Sequence, residues 1–156
     1  MKTDLSPIHF EVEVPASLSE VWAAWTTEEG VKSFFAPQCT LDFRLGGAYE
    51  MYFYLDAPAG LRGGEGCLIL AIEPFKMLSF TWNAPPEFPA IRDQRTHVVV
   101  RFNEIDAKNT RVSLTQDGWG SSKDWQNDRL YFERAWGEVV LPRLVKCFTQ
   151  GPILWQ

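Results

Sequence analysis

Few residues of this sequence form a pattern that could perform covalent chemistry. The two histidines, His9 and His97, each lie on the polar side of an alternating segment, and no second ligand stands at a metal-binding spacing from either. We therefore predict no zinc or iron site, and for His97 solvent exposure is the simpler interpretation than a general-base role. Burial could poise Glu65 or Glu73 as an acid, although surface positions are more usual for carboxylates. We assign no catalytic residue.

Motifs for nucleophiles and cofactors are missing as well. The sequence has no Gly-x-Ser-x-Gly turn, no phosphate-binding loop ending in Gly-Lys-Ser/Thr and no dinucleotide glycine fingerprint. We predict no cofactor. The three cysteines, Cys39, Cys67 and Cys147, are odd in number and widely spaced, so small buried hydrophobic residues are expected rather than disulfides or reactive thiols.

The composition indicates a packed core with many rings. Of the 156 residues, 46% are hydrophobic and 22% are charged, and the chain carries seven Trp and eleven Phe. Each buried ring covers about 150–250 Å². So many rings either fill a thick core or line a cavity.

Charge and hydropathy exclude several classes of partner. The net charge of -5 and the lack of a basic run argue against nucleic acid and anionic membranes. No stretch approaches the length of a membrane span, and residues 1–7 lack the apolar core of a signal peptide. The expected location is the cytoplasm.

Periodicity predicts the elements that position any site. A strand is expected over Ile8–Val14, and Ser17–Glu20 forms a capping box for a short helix. A second short helix is expected over Thr27–Phe34. Alternating segments then predict strands at 49–53, 78–82, 98–102 and 112–116. Residues 67–72 are apolar on both faces, so a strand is expected there with an ambiguous register.

The last third of the chain has a helical pattern. Ser121–Asp124 is a second capping box, and an apolar stripe runs from Phe132 to Cys147, with Pro142 expected to kink the helix. A long helix must bury its stripe, and the strands offer one apolar face. We predict a single α+β domain over residues 1–156, in which a strongly curved antiparallel sheet of about six or seven strands wraps around the long C-terminal helix.

An ordered series of short motifs supports this fold. The motifs are Pro15-Ala16, Val21-Trp22, Phe34-Phe35, Leu45–Tyr49, Gly66–Leu68, Glu73-Pro74, Leu78–Trp82, Val98–Phe102, Thr110–Gln116 and Gly118-Trp119. Over about residues 8 to 145 the chain resembles the stand-alone members of the activator of heat-shock-protein-90 ATPase family, in the START-like (SRPBCC) superfamily.

The resemblance implies a helix-grip fold with a cavity between sheet and helix. It does not fix an activity, because the superfamily includes ligand carriers, cyclases, hydrolases and chaperone-associated domains. The chain departs from the family pattern at Arg134–Gly137 and at Pro142. A chaperone-activating role is not expected, because the extra N-terminal domain of the eukaryotic activators is not found here.

A set of apolar side chains is expected to face the gap between sheet and helix. The predicted ligand-binding residues are Trp25, Phe34, Tyr49, Met51, Phe53, Phe80, Trp82, Phe102, Leu114, Gln116, Trp136 and Val140. Small-molecule sites are concave and mostly apolar with a few polar anchors, although the rings could instead fill the space. Gln116 and Tyr49 are the predicted anchors, unless they bond to the protein itself.

Two further segments have open interpretations. The proline-rich stretch 83–94, with Glu87 and Arg92, is either a lid that contacts a ligand or an irregular surface connection. The apolar tail 151–156 either packs on its own domain or crosses to a second subunit and forms a homodimer.

Three functions compete at this level. The sequence favours non-enzymatic binding of a small, hydrophobic or aromatic molecule in the cavity. The alternatives are a cofactor-free cyclase or hydrolase that uses the same cavity, and a chaperone-associated protein-interaction module. A carboxylate in the cavity with a shifted pKa would favour the enzyme.

Overall fold

The architecture is described by a computed structural model for residues 4–155, so residues 1–3 of the N-terminal segment and Gln156 of the tail lie outside the described part. The elements are β1 (Ile8–Val14), α1 (Leu18–Thr26), α2 (Glu28–Phe34), β2 (Gln38–Leu41), β3 (Tyr49–Tyr52), β4 (Ile69–Glu73), β5 (Met77–Trp82), β6 (Thr96–Asp106), β7 (Asn109–Asp117), α3 (Lys123–Arg134), a π segment (Ala135–Val140) and α4 (Leu141–Gln150). This order confirms the predicted α+β helix-grip fold.

The short helices begin where hydroxyl side chains satisfy free backbone amides. Ser17 Oγ accepts from the Glu20 amide at 3.3 Å, as the capping box predicts. Thr27 Oγ1 accepts from the Gly30 amide at 3.0 Å and so caps α2. In the second predicted box the cap is Ser122, which accepts from the Trp125 amide. These caps fix where α1, α2 and α3 leave the sheet.

The strands form two antiparallel ladders rather than one. The larger sheet has the order β1-β7-β6-β5-β4, and β2 pairs only with β3. Isolated bridges from Ala48 to Leu68 and from Tyr52 to Gly63 join the hairpin to the loop before β4. The ladder is interrupted here because the long loop before β4 contains Gly63 and Gly66 at positive φ, and because β4 shifts register between Ile69 and Ala71.

The C-terminal helix changes its winding in the middle. Phe132, Trp136, Val140 and Leu144 are all buried and repeat every four residues, a spacing that drifts by about 40° per step around an α-helix. The π segment spans this stretch, with the Leu141 amide donating to the Trp136 carbonyl. Wider turns keep the four side chains on one face. Pro142, which cannot donate to the Glu138 carbonyl, follows directly, so the predicted irregularity at Pro142 is present as a π segment.

Gly137 lets this helix approach the sheet closely. A Cβ on Gly137 would lie 2.8 Å from Phe10 Cε1 of β1, inside van der Waals contact. The glycine therefore sets the distance between the helix and the edge strand. The side chains between helix and sheet, described next, are held in a narrow layer.

Candidate functional site

A buried hydrogen-bond chain connects the helix to the sheet. The Trp136 indole donates to Gln116 Oε1 at 2.8 Å, and Gln116 Nε2 donates to Thr96 Oγ1 at 2.8 Å. Thr96 Oγ1 in turn donates to the Trp82 carbonyl at 3.1 Å. Gln116 is fully buried, and both ends of its amide are used by protein groups. Of the two interpretations left open for Gln116, the structure shows the internal one.

Tyr49 is likewise engaged by the protein. Its hydroxyl donates to the Trp25 carbonyl at 2.8 Å, which ties β3 to α1. Complete burial, with a smaller contribution from Cys39, raises the pKa of Tyr49 well above its ordinary value. The hydroxyl stays protonated and is not offered to a ligand in this structure.

Rings fill most of the space between sheet and helix. Trp25 stacks edge-on to Phe34 with centroids 5.0 Å apart, and Tyr49 lies 4.5 Å from Phe80. Phe35 meets the rings of Trp82 at 5.6 Å and Trp136 at 5.7 Å. Such spacings leave little room for a ligand within the ring cluster. The open space lies on the other side of this layer.

A groove of about 1310 Å³, partly open to solvent, runs along the C-terminal helix. Its apolar wall consists of Phe35, Pro37, Phe53, Leu55, Ala57, Trp82, Phe88, Leu130, Phe132, Ala135, Trp136, Val139, Val140 and Trp155. Its polar groups are Tyr54, Asp56, Glu87, Asn127, Tyr131, Arg134 and Arg143. An apolar concavity with a few polar groups is typical of small-molecule sites.

The predicted ligand-binding residues divide between this wall and the core. Phe53, Trp82, Trp136 and Val140 line the groove. The other eight are packed in the core away from it: Trp25, Phe34, Tyr49, Met51, Phe80, Phe102, Leu114 and Gln116. These eight side chains lie away from the groove because the ring packing described above fills the inner face of the sheet. Ligand contact by any of the twelve stays a prediction.

A second, partly exposed apolar face of the helix also lines the groove. Leu130 is 55% exposed and lies off the predicted stripe, whereas Val139 belongs to that stripe and is nevertheless 39% exposed. Leu130, a large apolar side chain outside the stripe, was the available signal in the sequence. A second apolar face on a helix indicates a surface that another molecule or segment can cover.

The segment 83–95 is tied down rather than free. Arg92, which is largely buried, donates through Nη2 to the carbonyls of Gly60 and Gly63 at 2.8 Å each, and through Nη1 to the Ala84 carbonyl. It also pairs with Glu65 at 3.3 Å. Arg92 therefore fastens this segment to the loop before β4, and it is Glu87 and Phe88 that reach the groove.

None of the suggested acids and bases is poised for catalysis. Although burial acts in the opposite direction, the backbone amides of Arg62 and Gly63 hold the pKa of Glu65 below its usual range. Glu73 is a surface group paired with Lys76. His9 contacts Thr115 and Glu11 on the outer side of the sheet, and His97 is exposed.

Asp128 is the ionisable group that the sequence analysis overlooked. It is fully buried, and neither carboxyl oxygen has a hydrogen-bond partner in the described structure. Burial, and then the charge of Glu87, raise the pKa of Asp128 to about 7. The sequence held a signal, because Asp128 follows Trp125 by three residues and precedes Phe132 by four, which is the buried face of α3.

The C-terminal tail packs on its own chain. The Ile153 amide donates to the Ser33 carbonyl at 2.9 Å, and the Trp155 indole donates to the Lys32 carbonyl at 2.7 Å. Arg143 lies over the Trp155 ring, 5.0 Å from its centroid. Trp155 thus closes the α4 end of the groove, whereas Leu154 is 89% exposed.

Thiols and metal ligands give no separate site in the described residues. Cys39, Cys67 and Cys147 are unpaired, and burial raises the pKa of Cys67 to about 11, so that thiol is unreactive. Within residues 4–155, no three His, Cys, Asp or Glu side chains are grouped to hold a metal ion. No helix in the same range has the length and apolarity to cross a bilayer.

Comparisons with known proteins agree with this architecture. A family model described as Activator of Hsp90 ATPase homolog 1-like protein matches residues 15–149. A crystal structure of a protein from Mesorhizobium loti has a TM-score of 0.69 at 20% identity, covering 95% of this chain and 100% of that one. The solution structure of the Aha1 dimer from Colwellia psychrerythraea has a TM-score of 0.70 at 18% identity, with coverages of 94% and 98%.

A third structure, CalU16 from Micromonospora echinospora, has a TM-score of 0.64 at 21% identity, covering 95% of this chain and 76% of that one. At these identities the similarity shows the fold alone. No curated protein sequence matches the chain significantly.

Proposed function

The chain belongs to the Activator of Hsp90 ATPase homolog 1-like family of the START-like superfamily, and from that premise we propose that it binds a small, mainly apolar molecule in the groove beside its C-terminal helix. The observation that carries this proposal is the groove itself, which has about 1310 Å³ lined by the rings of Trp82, Trp136 and Trp155. Burial of a ring-shaped ligand against such a wall gains roughly 25 cal/mol per Å² of apolar surface removed from water.

The binding mode follows from what the core already uses. Gln116 and Tyr49 are bonded internally, so they position Trp136 and β3 and do not serve as ligand anchors. Polar recognition falls to the groups on the wall, among them Tyr54, Asn127 and Arg143. Shape selection by the rings and orientation by these few groups is the proposed mechanism.

Tryptophan fluorescence tests this assignment. We expect the neutral dye N-phenyl-1-naphthylamine to quench Trp82 and Trp136, because both rings line the groove. Trp82→Phe and Trp136→Phe should each reduce the quenching, whereas the control Trp22→Phe, whose ring packs against Phe43, Phe75 and Phe102 away from the groove, should not. If both variants at the wall quench like the unaltered protein, the groove is not the binding site.

A second candidate, a cofactor-free enzyme that uses the same groove, is favoured by one observation. Asp128 lies behind the groove with a pKa raised by burial to about 7, a value suited to acid–base catalysis near neutral pH. Asp128 is fully buried and is not part of the groove wall, so binding is the function we put first. Turnover of a bound molecule that Asp128→Asn abolishes would reverse this order.

We further propose that residues 1–156 form one domain and that the protein forms a homodimer in the cytoplasm. The support for a dimer is the Colwellia psychrerythraea relative, which is described as a dimer. The tail is engaged with its own α2, so the proposed dimer does not depend on an exchanged tail. Native mass spectrometry of the purified protein would report the subunit number and any retained small molecule together.

A further inference from the structure

We infer that the α3 end of the groove selects ligands that carry a protonated amine, with Glu87 on the wall and Asp128 behind it as the opposing charges. This inference rests on the proposed function, since it names the chemistry of the molecule that the groove would take. It comes from three independent features of the structure, which concern Asp128, its surroundings and the distribution of charge along the helix.

Asp128 is an acceptor without a donor. It is fully buried on α3, and both its oxygens lack hydrogen-bond partners in the described structure. A buried carboxylate is strongly unfavourable unless a cation or several donors compensate it. By contrast, the other inward carboxylate, Glu65, has both the Arg92 guanidinium and two backbone amides. Asp128 is therefore the buried acid whose compensation is still missing.

The surroundings of Asp128 place it directly behind the groove wall. Its helical neighbours Asn127 and Tyr131 line the groove, and Glu87 and Phe88 line it from the facing segment. The Trp119 ring closes the space on the far side. Its centroid lies 6.5 Å from the ring centroid of Trp125, one turn before Asp128, and 6.4 Å from that of Phe132, one turn after it. The groove is the side from which a compensating charge can arrive.

Apart from Arg134, the ionisable groups that line this end of the groove are acids or phenols. Glu87 faces Asp128 from the segment 83–95, Tyr131 lies one turn along the same helix, and Tyr54 contributes from the segment after β3. Glu87 is exposed, and among residues 4–155 it has no ion-pair partner within salt-bridge distance. Burial first, then Tyr54, Glu87 and Asp128, raise the pKa of Tyr131. The electrostatic potential around Asp128 and Tyr131 thus favours a positively charged ligand group.

The remaining wall suits the rest of such a ligand. Phe88 and Phe132 offer ring faces and the tyrosine hydroxyls offer acceptors to an ammonium group. Arg143 lies twelve residues beyond Tyr131, at the α4 end of the groove, while Arg134 is closer but exposed to screening by water. An aryl-alkylamine can therefore place its ammonium near Glu87 and its ring over Trp136.

Release of a proton on binding distinguishes an amine from a neutral ligand of the same shape. Below neutral pH Asp128 holds a proton, and an arriving ammonium favours its loss. Affinity for an amine should therefore rise with pH up to about neutrality, by at most roughly tenfold per pH unit, and binding at pH 6 should release a proton. A neutral molecule of the same shape should show neither effect.

The experiment compares two probes of matched shape on the full chain. Isothermal titration calorimetry is run with 2-naphthylmethylamine and 2-naphthylmethanol at pH 6 and pH 8, in two buffers of different ionisation enthalpy. We expect the amine to bind about tenfold more tightly than the alcohol at pH 8. Asp128→Asn and the exposed-site variant Glu87→Gln should each reduce this preference.

The matched control is Glu138→Gln, which removes an exposed carboxylate from the same helix away from the groove wall and should keep the preference. Equal affinity for the two probes, or a preference that survives in both Asp128→Asn and Glu87→Gln, overturns the inference and leaves the proposed function standing. If neither naphthyl probe nor N-phenyl-1-naphthylamine binds, the proposed function itself fails.

Discussion

Among single residues, Asp128 links the charge state of the interior to the stability of the fold. Its pKa is raised from the ordinary 3.8 to about 7 by burial and by Glu87. The folded chain therefore binds a proton that the unfolded chain has already lost between these two values. The stability contributed by this proton is complete below about pH 4 and is lost as the pH rises towards 7.

The first prediction concerns Asp128→Asn. Asn is neutral at every pH. The free energy of unfolding of Asp128→Asn relative to the unaltered protein should therefore increase between pH 4 and pH 7 by about 1.4 kcal/mol per pH unit, to a few kcal/mol in total. Above pH 8 this difference should stay constant. Urea unfolding of both proteins at several pH values measures the difference. A difference that does not vary with pH would show that Asp128 is ionised in the folded protein.

The same residue shows why part of the site could not be found from the sequence. Spacing places Asp128 on the buried face of α3, but an acid in a polar run such as Gln126-Asn127-Asp128-Arg129 is usually on the surface. Only the packing of Trp119 and the segment 83–95 against α3 decides the matter. Gln116 was easier, because alternation fixed its buried face, while its partners Thr96 and Trp136 depend on tertiary contacts.

At the scale of elements, regular structure was predictable and irregular structure was not. Period-two alternation placed the strands and a hydroxyl cap placed the start of α1, since these signals are local. The split between the β2–β3 hairpin and the larger sheet depends on Gly63 and Gly66, whose positive φ values are set by long-range packing. The groove is lined by stripe residues such as Val139 as well as by Leu130 off the stripe, and periodicity does not show which of them stay exposed.

The second prediction concerns Gly137 within the π segment. In an ordinary helix, replacing Gly by Ala stabilises by about 1 kcal/mol. Here the new Cβ would lie 2.8 Å from Phe10 Cε1, so Gly137→Ala should give no gain or a loss. In a Phe10→Ala background the contact is gone, and the same substitution should then stabilise relative to Phe10→Ala alone. Thermal unfolding of the unaltered protein, Gly137→Ala, Phe10→Ala and the double variant gives this double-mutant cycle.

An equal gain from Gly137→Ala in both backgrounds would contradict the close approach of the helix to β1. A control at Gly151, where a Cβ would meet nothing but φ is 92°, separates contact from backbone strain. Gly151→Ala should destabilise whatever residue stands at position 10.

At the scale of the whole molecule, the groove joins parts of the chain that are far apart in sequence. Residues from the loop after β3, the segment 83–95, both ends of the C-terminal helix and the tail meet along one surface. Arg92 fixes the relation between two of these loops through four carbonyl and carboxylate contacts. The site is therefore a property of the assembled fold.

The third prediction tests the tail as part of the groove. Trp155→Ala removes a wall ring, its hydrogen bond to Lys32 and its contact with Arg143. Affinity for N-phenyl-1-naphthylamine should fall several-fold, since a lost ring contact is worth about 0.5–1.5 kcal/mol. The control Leu154→Ala alters the 89% exposed neighbour and should bind like the unaltered protein. If Trp155→Ala binds N-phenyl-1-naphthylamine as tightly as Leu154→Ala does, the tail is not part of the site.

The docking of Trp155 against Lys32 also has a practical consequence for anyone who produces this protein. A purification handle fused after Gln156 would start two residues beyond Trp155 of the groove wall, where a hexahistidine or a cleavage scar can occupy the opening or pull the indole away. Recombinant material for ligand screening should carry its tag at the opposite terminus.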